Sequence, residues 1–170
     1  MDAGSINFLL YEDGSEYLGT ASIQFNEMTN KTFTVNGAGI PGDINLPVVG
    51  HKDAMTITIN FTDVSDSTYK LAEERVHQVD LRIARENYDS SKGQIGVRAD
   101  KHILKIIPTA LNSGNVSPAN PQGASGTYSV LSREDYLDGK RVLKYDPVNF
   151  VDIDISGTDR LQAVRSALGK

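Results

Sequence analysis

The seven residues Met55-Thr56-Ile57-Thr58-Ile59-Asn60-Phe61 constrain this chain more than any other stretch. Apolar and short polar side chains alternate through them without a break. A period of two places the two sets on opposite faces of a strand, because successive side chains of an extended chain point to opposite sides. Thr56, Ile57, Thr58 and Ile59 are β-branched, which favours the pleated strand over the helix. One face of this strand demands cover and the other does not, so the fold must supply a sheet with a buried side.

The same period recurs along the chain. Ile6–Tyr11 reads as a first strand; Asp13-Gly14 turns it, and Tyr17–Ala21 returns. Ile23 and Phe25 alternate with polar neighbours. In Lys31–Asn36, Phe33 and Val35 oppose Thr32 and Thr34. Further strands follow at Val79, Leu81 and Ile83, at Ile95, Val97 and Ala99, and through Ile103–Ile107 up to Pro108. Asn112–Gly126 is rich in Gly, Ser, Asn and Pro and reads as a loop. From Thr127, two strands flank Asp138-Gly139, the strongest short-range hairpin signal because a type I′ turn needs positive φ at both central residues. Val151, Ile153 and Ile155 alternate with Asp152 and Asp154. Two stretches keep a helical period instead. One is capped by Ser65 or Asp66 and places Tyr69, Ala72 and Val76 on one side; the other, Thr158–Leu168, carries Leu161, Val164 and Leu168. The expectation is a mainly β chain, an antiparallel β-sandwich or barrel with a mid-chain helix and a short C-terminal helix, forming a single domain over residues 1–170.

Composition excludes several kinds of chemistry. The chain has no cysteine and three histidines. His51, His77 and His102 fall in a loop, at a helix end and in a strand, and no two stand at metal-ligand spacing. No serine sits in Gly-x-Ser-x-Gly, there is no phosphate-binding Walker loop, and Gly37-Ala38-Gly39 runs into Ile40-Pro41 rather than into a helix start. Asp152 and Asp154 share one strand face and read as its solvated side. The expected catalytic, cofactor-binding and metal residues are therefore none, and the chain is read as a non-enzymatic protein without a cofactor. Net charge is −5 and no basic cluster stands out, which argues against specific nucleic-acid binding. No apolar run reaches the roughly 18 residues of a membrane helix, and Met1–Ser5 lacks the basic start of a signal peptide. Synthesis in the cytoplasm without a membrane anchor is expected.

Gly37–Gly50 is the odd stretch. It carries four glycines and two prolines, with Ile40, Ile44, Leu46, Val48 and Val49 between them. A solvated linker is more polar than this. The stretch reads as an interaction loop joining two strands, with Gly37, Gly39, Ile40, Gly42, Ile44, Leu46 and Val48 as its candidate contact residues. The alternative is a loop folded over its own core.

Two sets of residues carry a resemblance. Gly37-Ala38-Gly39-Ile40-x-Gly42, then Pro47, Gly50 and the strand Met55–Phe61, form the first. The second is Tyr136-x-Asp138-Gly139-Lys140, Val142-Leu143, Asp146-Pro147-x-Asn149 and Gly157-x-Asp159-x-Leu161, running through Arg165 to Leu168-Gly169. In order and spacing, the chain resembles the major tail tube protein of contractile-tailed phages. It departs from that pattern at Asn26-Glu27-Met28, which is more polar, and in Asn112–Gly126.

The resemblance implies a structural subunit of the inner tube of a contractile phage-like tail. Six copies would form a ring, and rings would stack around a lumen for DNA and a tape-measure protein. Sheath, baseplate and terminator proteins are the further partners it implies. Thr32, Thr34, Thr56, Thr58 and Asn60 are the lumen-facing candidates. The setting would be a virion tail or a released extracellular particle. A genome-free injection tube of the R-type bacteriocin kind fits the same pattern, and neighbouring capsid and terminase genes would separate the two. A carbohydrate-binding β-sandwich module is the reading from another class; it needs exposed aromatic platforms, whereas the chain has no Trp and 7% aromatic residues.

Overall fold

A computed structural model describes residues 2–19 and 22–170. Eleven strands and two short helices follow one another: β1 (Asp2–Glu12), β2 (Glu16–Tyr17), β3 (Ser22–Phe25), β4 (Asn30–Val35), β5 (Ile44–Lys52), β6 (Met55–Phe61), α1 (Asp66–Lys70), β7 (His77–Asp89), β8 (Gln94–Asn112), β9 (Ala124–Leu137), β10 (Lys140–Asp146), β11 (Val151–Ile153) and α2 (Gln162–Ala167). Every pairing is antiparallel. The mainly β architecture expected from the alternation is therefore observed, and among the described residues the sheet does not close into a barrel.

Strand β9 is the hub. One of its edges pairs with β8 along nearly its whole length. The other carries β6 opposite residues 124–130 and β10 opposite residues 133–137, so the sheet forks there. One limb runs β8-β7-β1-β2, and the other is β6-β3. Their inward faces share one core: Leu10, Val79, Leu81, Leu104 and Ile106 meet Met55, Ile57, Ile59 and Phe61, with Tyr128 and Val130 from the hub. Ile57 and Ile59 are fully buried. Leu18 and Leu71 also belong to this core.

The turns follow local chemistry. Asp13-Gly14 and Asp138-Gly139 each take φ of 50° and 77°, as a type I′ turn requires. Elsewhere tertiary partners override the local pattern. The mid-chain helix is one turn, capped by Ser65 and Thr68 in a capping box. Thr68 and Leu71 point inward, while Tyr69 and Val76 stay exposed. The chain leaves the helix early because the Glu73 carbonyl is held by the buried His77 ring, 3.0 Å away, at the start of β7. β8 does not stop at Pro108 but continues to Asn112, with a register shift between Pro108 and Ala110 that accommodates the missing N–H. β9 begins at Ala124, inside the stretch expected as a loop. The second helix spans 162–167 rather than 158–168, because the Asp159 carboxylate accepts the main-chain N–H groups of Leu161 (3.0 Å) and Asp152 (3.2 Å) and draws the preceding residues against β11. Leu161 is buried, but Leu168 is exposed.

The β11 alternation is inverted. Asp152, expected in solvent, is fully buried, and Ile155 lies outside. Asp152 is held by Lys52 at 3.5 Å and by Arg160 at 3.4 Å. A buried carboxylate persists only with such partners. Part of the return strand expected at Tyr17–Ala21 lies outside the described residues.

Candidate functional site

Two surfaces stand out. The first is the outward face of the forked limb. Ser22 and Gln24 on β3 sit opposite Asn60 and Thr58 on β6. On the other side of β6, Thr56, Thr58 and Asn60 face Ser129, Thr127 and Ser125 on β9, and β8 continues the face with Ala110 and Asn112. None of these positions carries a charge. The hydroxyls and amides bond one another: Asn60 Nδ2 donates to Ser22 Oγ at 2.9 Å, and Asn26 Nδ2 to Thr56 Oγ1 at 2.5 Å. Thr109 Oγ1 donates to the Thr127 carbonyl at 2.9 Å. A face so built offers a polyanion neither an ion pair nor a repelling carboxylate.

Thr56, Thr58 and Asn60 thus lie together as the sequence pattern suggests. Ser125, Thr127 and Ser129 join them because β9 pairs with β6, a long-range pairing that the local pattern does not show; Ser125 also precedes the strand expected from Thr127. Their signal was present, since Ala124-Ser125-Gly126-Thr127-Tyr128-Ser129-Val130 alternates small or apolar residues with hydroxyls. The inward positions Ala124 and Gly126 are too small to register as apolar anchors. Gly126 is required: a Cβ there would run into the Tyr128 ring.

The second surface is the ribbon made by β4 and β5, which among the described residues pair only with each other. Ile44, Leu46 and Val48, expected in a loop, are on β5, and His51 is on it too. Gly37, Gly39, Ile40 and Gly42 remain in the turn, where the Ile40 N–H bonds the Gly37 carbonyl at 3.1 Å. Gly39 takes φ of 95°, which side chains rarely adopt. Phe33 lies opposite Leu46 and Val35 opposite Ile44, so these four share one face. Phe33, Ile44 and Leu46 are exposed. Thr32 and Thr34 are on the other ribbon face, with Asn45, whose Oδ1 accepts from Thr34 Oγ1 at 2.8 Å. The structure therefore separates Thr32 and Thr34 from the hydroxyl face of β6.

The ribbon is anchored at its base. Lys52 reaches Asp152, lies 5.0 Å from the Tyr145 ring centroid, and donates to Asn30 Oδ1 at 3.2 Å. Tyr145 Oη donates to the Gly50 carbonyl at 3.3 Å. A Cβ at Gly50 would run into Leu161, so the crossing of ribbon and α2 depends on glycine. Burial, with the nearby Asp152 charge adding to it, raises the Tyr145 phenol above its ordinary value.

The titratable groups near these surfaces are engaged structurally. His77 Nδ1 lies 2.6 Å from Glu12, and His102 Nδ1 lies 2.7 Å from Asp135. Among the described residues, no three His, Asp or Glu side chains form a group that could hold a metal ion. No helix among them is long and apolar enough to cross a membrane.

The sequence profile of the phage tail tube protein FII family matches residues 6–169. The sequence matches no curated protein. Similar folds occur in solved structures. A chain of the sheath–tube complex of the extracellular contractile injection system PVC, in its extended state, aligns with a TM-score of 0.54 at 11% identity, covering 77% of this chain and 88% of that one. A chain of the sheath/tube terminator of the same system aligns at 0.55 and 10% identity, over 77% and 94%. The tube-terminating cap of the anti-feeding prophage aligns at 0.54 and 12% identity, over 76% and 87%.

Proposed function

This chain belongs to the phage tail tube protein FII family, and from that premise we propose that it builds the inner tube of a contractile phage-like tail as stacked hexameric rings. The observation that carries this reading is the family match across residues 6–169. The two surfaces described above support it. The uncharged face of β3, β6, β8 and β9 is suited to line a lumen, with Thr56, Thr58 and Asn60 at its centre. DNA binds non-specifically by exchanging counterions for Lys and Arg, so a wall without cations gives passing phosphates nothing to hold. The same wall suits an extended tape-measure protein.

The ribbon is suited to engage a neighbouring copy. Gly37, Gly39 and Gly42 shape its turn, and Ile40, Ile44, Leu46 and Val48 supply apolar contact. An exposed apolar face of this kind marks an interaction site. The role is structural and non-enzymatic, with synthesis in a bacterial host and assembly into a tail or a released particle. Sheath, baseplate and terminator proteins are the partners at the tube's outside and ends. Arg160, Arg165 and Lys170 are poor anchors for a sheath. Arg160 is held by Asp152 at 3.4 Å, Arg165 by Asp159 at 2.6 Å, and Lys170 lies 4.5 Å from the Phe150 ring centroid.

Negative-stain microscopy of the purified protein tests the proposal. Hollow tubes or six-fold rings are expected. Purified protein that stays monomeric at high concentration, with no rings under any ionic strength, would overturn it. A bulky cysteine-directed label supplied to tubes carrying Thr58→Cys tests the lumen assignment, and ready labelling would place that face outside.

A further inference from the structure

The turn of the ribbon carries Asn36-Gly37, the one Asn-Gly pair in the sequence. Asn36 is exposed and directly follows the last residue of β4. Among the described residues its side-chain amide has no hydrogen-bond partner, and the Gly37 N–H, past the end of the β4–β5 ladder, has no acceptor. The turn bond to Ile40 uses the Gly37 carbonyl, not its nitrogen. A Cβ built at Gly37 would meet nothing within 4 Å, so that side of the nitrogen is open. Gly37 takes φ of 147°; having no Cβ, it neither shields its own nitrogen nor resists rotation about it.

These are the conditions under which an asparagine closes onto the next backbone nitrogen. Gly37 N attacks Asn36 Cγ. The N–Cγ bond forms, the Cγ–Nδ2 bond breaks, and Nδ2 leaves as ammonia with the proton that Gly37 N gives up. The cyclic imide then takes up one water. Opening at one carbonyl gives aspartate; opening at the other gives isoaspartate, which routes the main chain through an extra methylene. Water is the sole co-reactant. The remaining asparagines are held back by their surroundings. Asn7, Asn30, Asn45, Asn60 and Asn87 lie on strands. Asn112 Oδ1 accepts the Gly114 N–H at 2.9 Å, and Asn149 Nδ2 donates to Asp146 at 2.7 Å. Asn120 precedes Pro121, which has no N–H to lose.

We propose that Asn36 is a self-modifying site, converted to aspartate or isoaspartate in the free subunit and protected once a neighbouring copy covers the ribbon. The protection rests on the tube reading; the covalent change does not. Between Lys31 and His51 the sole charged residue is Asp43, so conversion doubles the negative charge of the ribbon. A carboxylate taken out of water without a partner is costly, so a converted ribbon holds its neighbour less tightly. The same contact explains the protection, because a covered turn cannot swing into the ring-closing geometry.

Peptide mapping by mass spectrometry, with an isoaspartyl methyltransferase assay, tests this. Wild-type protein is incubated at mildly alkaline pH, one sample kept below the concentration at which it assembles and one as tubes. In the dilute sample, conversion at Asn36 is expected to run at least tenfold faster than at any other asparagine, and in tubes at least tenfold slower than in the dilute sample. Asn36→Gln is expected to stay unmodified and to assemble as the parent does. Asn36→Asp is expected to raise the concentration needed for assembly at least threefold with an unchanged urea midpoint. Conversion at Asn36 no faster than elsewhere in the dilute subunit would overturn the site. Equal rates in tubes and dilute subunit, or normal assembly of Asn36→Asp, would overturn its link to assembly and leave the tube reading standing. Wild-type protein that forms no rings or tubes would remove the tube reading, and the dilute rate would still decide the site.

Discussion

Strands β4 and β6 are written in nearly the same pattern and meet opposite fates. One reads Thr32-Phe33-Thr34-Val35, the other Thr56-Ile57-Thr58-Ile59. In β6 the apolar set is sealed, with Ile57 and Ile59 at 0% exposure; in β4, Phe33 is 49% exposed. β6 has a partner on each side, β3 and β9, and an opposing limb across the core. β4 has β5 alone. Alternation specifies that a strand has two unlike faces. It does not specify whether the apolar one finds cover within the same chain. The difference fits the proposed division of work, in which β6 holds the subunit together and β4 holds subunits to each other.

The sharpest way to break this comparison is to truncate the sealed face. Ile57→Ala removes a fully buried side chain, and large-to-small changes of this kind cost about 2–5 kcal/mol. Urea denaturation at neutral pH should show a loss in that range. A loss of under about 1 kcal/mol would mean that the β6 face is no better covered than that of β4.

Next in size is the charged margin of the same core, where Asp135 is nearly buried. Burial pushes its carboxyl up, but the hydrogen bonds of His102 and Arg133 outweigh burial and hold it below the usual carboxylate range. A carboxyl whose folded value is depressed adds stability above its unfolded value, near pH 4, and loses that stability as pH falls through the folded value. Asp135→Asn should cost about 3 kcal/mol at neutral pH, since it leaves buried partners unpaired. It should also flatten the fall in stability between about pH 4 and pH 2. A variant whose acid profile still parallels the parent would show that other carboxylates, Asp100 among them, carry the acid sensitivity.

How much of this could be read in advance divides along the same line. Turns are local chemistry, so Asp13-Gly14 and Asp138-Gly139 stand in the sequence as they stand in the structure. The β6 strand is equally plain. What failed depended on residues far away in the chain. Asp152 looks solvated until Lys52, 100 residues earlier, arrives beside it. Residues 44–52 look like loop because Gly50 and Pro47 punctuate them; pairing with β4 and the Leu161 contact at Gly50 make them a strand. Half of the hydroxyl face was missed for a related reason. Its β9 members alternate with Ala124 and with Gly126, where the Tyr128 ring occupies the space a side chain would need.

That ring gives a smaller effect of opposite sign. Tyr128 pairs with Ile57 across β6 and β9, and its buried hydroxyl has no hydrogen-bond partner among the described residues. Burial pushes the phenol up to about 12. A raised folded value means the stability is complete below the unfolded value, near pH 10, and is lost as pH rises toward 12. Tyr128→Phe should gain about 1 kcal/mol at neutral pH by removing an unsatisfied polar atom. It should also weaken the alkaline loss between about pH 10 and 12. A destabilised Phe variant would mean that the hydroxyl has a partner after all.

The smallest effect on the subunit is the most informative about the tube. Phe33→Ala shortens a side chain on the exposed ribbon face, opposite Leu46 and outside the core cluster. Its cost to the isolated subunit should stay within about 0.5 kcal/mol, as for surface positions generally. If β4 differs from β6 only in where its cover comes from, the missing contact must appear in assembly instead. Phe33→Ala should then raise the protein concentration at which rings or tubes form, measured by sedimentation, while its urea midpoint matches the parent. Loss of subunit stability comparable to that of Ile57→Ala would show that the ribbon face is internal to the fold. Unchanged subunit stability with unchanged assembly would show that neither chain nor neighbour uses it, and the contrast between the two strands would reduce to sequence pattern.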